Sequence, residues 1–123
     1  MTTHPTPVDV ALVFIKAWGS SDMTTVAGYV ADDIAYEGPM AQANGAEAYL
    51  DAVSGFSELV TELKIIAAVG DDEQALIMYD MVTGPFGTLR AAEHLVISDG
   101  KIKTSTLVFD THEVRNPVRR AGR

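Results

Sequence analysis

Apolar residues recur every three to four positions in the first half of this chain and every second position in the rest. Val8, Ala11, Leu12, Ile15 and Trp18 repeat at helical spacing, predicting a helix over Val8–Trp18 that Gly19 and two serines stop. Asp22 reads as the N-cap of a second, short helix carrying Val26, Tyr29 and Val30, ended by Asp32-Asp33. Ile34–Met40 alternates up to Gly38-Pro39 and reads as a short strand. Asn44-Gly45 opens a third helix, roughly 45–56, with Ala46, Tyr49, Leu50, Val53 and Phe56 on its apolar face.

The period then changes to two. Val60–Val69, Gln74–Thr83, Thr88–Ser98 and Lys101–Asp110 read as four strands. They are separated by Gly70-Asp71-Asp72-Glu73, by Gly84-Pro85-Phe86-Gly87 and by the hairpin signal Asp99-Gly100. Helices first and a meander afterwards predict an α+β fold, not alternating βαβ units. Strands this long twist and coil. The predicted architecture is a cone-shaped α+β barrel, in which N-terminal helices pack on a curved antiparallel sheet and leave an apolar pocket. The organisation expected is a flexible lead-in at 1–7, one domain at 8–112 and a basic tail at 113–123.

Composition narrows the function. At 123 residues and 47% apolar, the chain suits one folded domain. It contains no cysteine, which excludes disulfides and thiolate chemistry. MTTHPTPVDV lacks the basic start and apolar stretch of a signal peptide, and no apolar run reaches membrane-spanning length. These absences point to the cytoplasm and away from a membrane. All seventeen acidic residues lie at or before Glu113, while Arg115, Arg119, Arg120 and Arg123 fall in the last nine positions. An acidic body repels phosphate backbones, so no nucleic-acid partner is expected. His4, His94 and His112 show no metal-ligand spacing, so no metal is expected, and nothing calls for a cofactor.

Glu93 is the residue most suggestive of chemistry. Alternation puts it on one strand face with Leu89, Ala91, Leu95 and Ile97, which predicts a buried carboxyl. Burial raises a carboxyl pKa, and a neutral carboxyl in a pocket donates a hydrogen bond or a proton. The other reading is a structural acid bonded to a tyrosine or an arginine. His94 falls on the opposite face with Arg90, Ala92 and Val96, unless a bulge exchanges the two. Alternation aims Tyr36 and Tyr79 inward, either as hydroxyl donors to a ligand oxygen beside Glu93 or as core rings with the hydroxyl at the rim. Phe14, Trp18, Met40, Tyr49, Phe56, Leu95, Leu107 and Phe109 are candidate pocket walls.

The segments Tyr29-Val30-Ala31-Asp32-Asp33, Ile34-Ala35-Tyr36-Glu37-Gly38-Pro39, Asn44-Gly45-Ala46-Glu47-Ala48-Tyr49-Leu50 and Ala92-Glu93-His94-Leu95-Val96-Ile97-Ser98-Asp99-Gly100-Lys101-Ile102 occur in a telling order. Together they resemble the nuclear transport factor 2-like superfamily, nearest its SnoaL-like polyketide cyclase and ketosteroid isomerase branch, over roughly residues 8–110. The resemblance implies a cone-shaped barrel, an apolar pocket and a dimer through the outer sheet face. It leaves the reaction open, because this fold hosts isomerases, cyclases, hydrolases, dehydratases and plain binders. The isomerase's first-helix tyrosine falls on Phe14 and its first-strand aspartate on Gly38, with Glu37 beside it. Its second acid falls on Glu93, so one carboxyl is kept. Arg90-Ala91-Ala92 does not supply the Arg-x-Asp of the superfamily's epoxide hydrolases.

The expected function is therefore a small-molecule pocket protein: a cofactor-independent isomerase, cyclase or dehydratase acting on an apolar carbonyl compound through a pocket carboxyl. The alternative is a non-catalytic apolar-ligand-binding module or a dimerisation scaffold. Outward-facing Met78, Val82, Ala92 and Val96 predict a homodimer through the sheet.

Overall fold

Thr6 starts the first element. In the computed structural model, which describes residues 5–115, its hydroxyl accepts a 3.2 Å bond from the Asp9 amide while the Asp9 carboxylate caps the Thr6 amide. Pro7 follows at the first helical position, so helix α1 (Pro7–Gly19) begins at Pro7, with Thr6 as its N-cap, one residue earlier than the expected Val8. Val10, Ala11, Phe14, Ile15, Ala17 and Trp18 form its buried stripe. Complete burial of a side chain such as Phe14 or Ile15 stabilises the fold by about 1.5–3 kcal/mol.

Helix α2 (Met23–Tyr29) is capped by Asp22, whose carboxylate accepts from the Thr25 amide. It ends earlier than the aspartate pair suggested. Val30 is already extended, and Asp32 and Asp33 lie inside strand β1 (Val30–Glu37). Pairing with the last strand of the described residues draws this segment out, and the register shift between Val30 and Ala35 leaves both aspartates facing solvent. A three-residue strand, β2 (Gln42–Asn44), then folds back on β1. Gly45, at φ 93°, adopts a backbone conformation that suits glycine and opens helix α3 (Ala46–Ser57).

Four long strands complete the sheet: β3 (Val60–Gly70), β4 (Gln74–Thr83), β5 (Gly87–Ser98) and β6 (Lys101–Phe109). The β5–β6 turn has φ 53° at Asp99 and 73° at Gly100, the positive pair of a tight hairpin. Strand order is β2-β1-β6-β5-β4-β3, antiparallel throughout except for β1 against β6. The three helices pack on one face of this curved, unclosed sheet. A further turn, α4 (His112–Arg115), follows β6. Val114 packs against the core and Arg115 donates to the Pro39 carbonyl at 3.2 Å, so the expected tail begins as structure. Arg119, Arg120 and Arg123 lie outside the described residues.

Candidate active site

Strict alternation along β5 decides the orientation of the acid. Leu89, Ala91, Glu93, Leu95 and Ile97 are buried, while Arg90 and Ser98 are exposed and Ala92, His94 and Val96 are half-buried on the other face. Glu93 is 5% exposed. Its Oε1 accepts a 2.8 Å bond from the Tyr79 hydroxyl on β4, and its Oε2 accepts a 2.6 Å bond from Ser105 on β6. Register brings these strands together: Ile77 and Leu107 flank Glu93, and Tyr79 and Ser105 each stand two residues along.

The carboxyl borders an apolar cavity of about 70 Å³ between the sheet and helices α1 and α3. Phe14 and Trp18 come from α1, Tyr49, Val53 and Phe56 from α3, Tyr36 from β1, Tyr79 and Met81 from β4, and Leu107 and Phe109 from β6. Pro39, Met40 and Ala41 complete the wall, with Met40 half-exposed. The candidates Glu93, Tyr36, Tyr79, Phe14, Trp18, Met40, Tyr49, Phe56, Leu107 and Phe109 therefore share one cavity. Leu95 does not border it. It is wholly buried two residues beyond Glu93, between Ala75 and Ser105, and belongs to the core.

Aromatic rings give the cavity its shape. Phe14 stacks on Tyr49 with centroids 6.2 Å apart, and Tyr36 meets Tyr49 edge to face at 5.2 Å. Phe56 stacks on Trp18 and Phe86 and tilts against Phe109. The Trp18 indole N–H is held by the Val53 carbonyl at 3.2 Å, which fixes α1 against α3.

Electrostatics follow from burial. Among the described residues, no lysine, arginine or histidine lines the cavity. Burial pushes the Glu93 carboxyl above its ordinary value, and the bonds from Ser105 and Tyr79 pull it back by less. Burial and the neighbouring Glu93 charge raise the Tyr36 phenol to about 12 and hold Tyr49 and Tyr79 well above 10.0, so all three remain neutral donors at physiological pH. Glu37 is exposed on the opposite face of β1. His94 meets Gln74 Oε1 at 2.8 Å on the outer face and takes no part in the site.

Ser105 escaped sequence reasoning. Counting back by two from Phe109 and Leu107 places it inward, but a lone serine carries no chemical signature. Tyr79 is a candidate ligand donor or a core ring from its sequence position. Its hydroxyl is engaged with Glu93, so it positions the acid.

Helices over a curved open sheet with an apolar cavity between them define the fold class, and comparison with known proteins names the family. The family model described as the SnoaL-like domain matches residues 12–104. The chain belongs to the SnoaL-like domain family. A solved protein from Kribbella flavida is 30% identical, with a TM-score of 0.90, covering 97% of this chain and 98% of that one. An NTF2-like protein of unknown function from Cytophaga hutchinsonii (20% identity, TM-score 0.77, 94% and 99% covered) shares the fold. So does an LEH-like epoxide hydrolase from M. tuberculosis (20% identity, TM-score 0.74, 93% and 90% covered). No curated protein matches the sequence.

Proposed function

We propose that this chain is a cofactor-independent isomerase, cyclase or dehydratase acting on a small apolar carbonyl compound, with Glu93 as its proton-transfer group. The observation that carries the reading is the setting of Glu93: a buried carboxyl at an apolar cavity, held by two hydroxyls, with no cation in the described lining. A carboxyl so placed has its proton affinity raised toward working pH, the condition for general acid–base catalysis. In the step common to these reactions, a Glu93 oxygen takes a proton from the carbon beside the carbonyl. The C–H electron pair becomes a carbon–carbon double bond, the carbonyl π pair moves onto oxygen, and Tyr36 donates to that oxygen. The proton then returns to another carbon or to a leaving group.

The test is proton exchange. Cyclopentanone and cyclohex-2-enone are incubated with the protein in deuterium oxide, and loss of the α-hydrogen signals is followed by NMR. The wild type accelerates exchange, and Glu93→Gln reduces the rate by about 10²–10⁴-fold. Equal rates for the two proteins, or no acceleration by either, rule against the reading.

One observation favours a second reading. A cavity of about 70 Å³ is roughly half the 150 Å³ that admits benzene, so its own side chains fill most of the space. A dimerisation scaffold, its pocket filled from within, fits that. It predicts no exchange and no binding of cyclopentanone by either the wild type or Glu93→Gln.

We also infer a homodimer through the outer sheet face. Register lines up Ala67, Met78, Ala92 and Val108 as one apolar row across four strands, with Met78 40% and Val108 57% exposed. Val69 and Leu76 extend it on one side, and the bidentate Arg90–Asp80 pair borders it on the other. Apolar rows rimmed by polar groups mark interfaces.

A further inference from the structure

The polar side chains lining the cavity are Trp18, Tyr36, Tyr49, Tyr79 and Glu93. Three already have partners. The Trp18 N–H is bonded to Val53, the Tyr79 hydroxyl to Glu93, and each Glu93 oxygen receives one hydroxyl. The Tyr36 and Tyr49 hydroxyls have no partner among the described residues. Yet no buried side-chain oxygen or nitrogen among those residues is left without one. Both hydroxyls are therefore accessible, and the space both side chains line is the cavity. They come from different elements, β1 and α3, and their rings cross at 72° with centroids 5.2 Å apart.

We propose that Tyr49 is a second hydroxyl donor to the ligand and that, with Tyr36, it brackets a single carbonyl oxygen. A carbonyl oxygen has two lone pairs and accepts two such bonds. The pairing selects a neutral ketone or enone. A carboxylate would enter beside Glu93 with no cation to offset its desolvation. An alkene of the same shape would leave both phenols unpaired, a recognised source of strong discrimination. In an enolisation the same oxygen gains negative charge, and two fixed donors stabilise it more than one. The proposal deepens the function given above and rests on its premise that a carbonyl compound enters this cavity.

The probe is cyclopentanone labelled with carbon-13 at its carbonyl, and the readout is the infrared stretch of the bound molecule. In the wild type the bound band lies at lower frequency than in hexane. Tyr49→Phe moves it part of the way back and weakens binding about five-fold, the loss of one hydrogen bond. Tyr36→Phe does the same, and the double variant loses the displacement. Methylenecyclopentane, which lacks the oxygen, binds all of them equally. A band and affinity unaltered by Tyr49→Phe overturn the proposal, as does a wild-type protein that shows no displaced band. An equal loss for the alkene also overturns it, because the hydroxyl then serves packing. Displacement without α-proton exchange sinks the acid–base reading and leaves the donor pair standing. Exchange without a Tyr49 effect does the reverse.

Discussion

The Tyr79 hydroxyl donates a 2.8 Å bond to Glu93 Oε1 from the neighbouring strand, fourteen residues away in sequence. With Ser105 on the other oxygen, the carboxyl is locked in orientation while it borders the cavity. This arrangement takes one element from each reading of Glu93 considered from sequence. The acid is bonded to a tyrosine, as a structural acid would be, yet it borders the cavity.

Removing either hydroxyl tests that lock. Tyr79→Phe leaves Glu93 Oε1 without its donor, and Ser105→Ala does the same to Oε2. Each is expected to cost about 1–3 kcal/mol in chemical denaturation. Each also raises the Glu93 pKa further, because both bonds favour the ionised form. Unchanged stability and titration in both variants would contradict the lock.

The pH dependence of stability has a definite sign. The Glu93 pKa is raised in the folded state, so the neutral acid is favoured by folding. Its contribution is fully present below the unfolded value, near 4.5, and is lost as pH rises through the raised folded value. Unfolding free energies of the wild type and Glu93→Gln, compared across pH, should show the wild type losing ground over that window. The loss is about 1.4 kcal/mol for every pH unit that separates the folded from the unfolded value. A constant difference between the two proteins contradicts this.

Gly38 abuts the Tyr36 phenol, and a Cβ built there overlaps the hydroxyl and ring end. Gly38→Ala therefore displaces the Tyr36 ring, the movable partner. Cyclopentanone affinity should fall about five-fold, as for losing one donor bond, with only a modest change in melting temperature. Intact affinity would show that Tyr36 is not a ligand donor.

Met78→Glu places a charge in the centre of the outer apolar row. The expected result is a dimeric wild type and a monomeric variant in sedimentation velocity, with the exchange rate per chain retained. A monomeric wild type at high concentration removes the interface.

The elements were legible because their periods differ: Val8 to Trp18 at helical spacing, and Gln74 onward at two. Asp22, Gly45 and Asp99-Gly100 marked their boundaries with direct conformational signals. Two features were hidden. The three residues of β2 are too few to show alternation. The α2–β1 junction is set by parallel pairing with Ile102, more than seventy residues away, and no local reading of Asp32-Asp33 contains that contact. Within the site, alternation aimed Glu93, Tyr36 and Tyr79 inward correctly. What alternation cannot tell is depth, so Leu95 shares the face of Glu93 without reaching the cavity. Nor can it tell which of three phenols is already engaged. That depends on register between β4, β5 and β6.

The proposed proton transfer requires a raised proton affinity at one buried acid. Carbon-13 labelling of glutamate side chains allows the Glu93 carboxyl signal, assigned by its absence in Glu93→Gln, to be followed across pH. The predicted midpoint lies above the ordinary 4.5 and moves higher still in Tyr79→Phe. A midpoint at or below 4.5 would mean a carboxylate stabilised as the ion, and the proton-transfer role would fall.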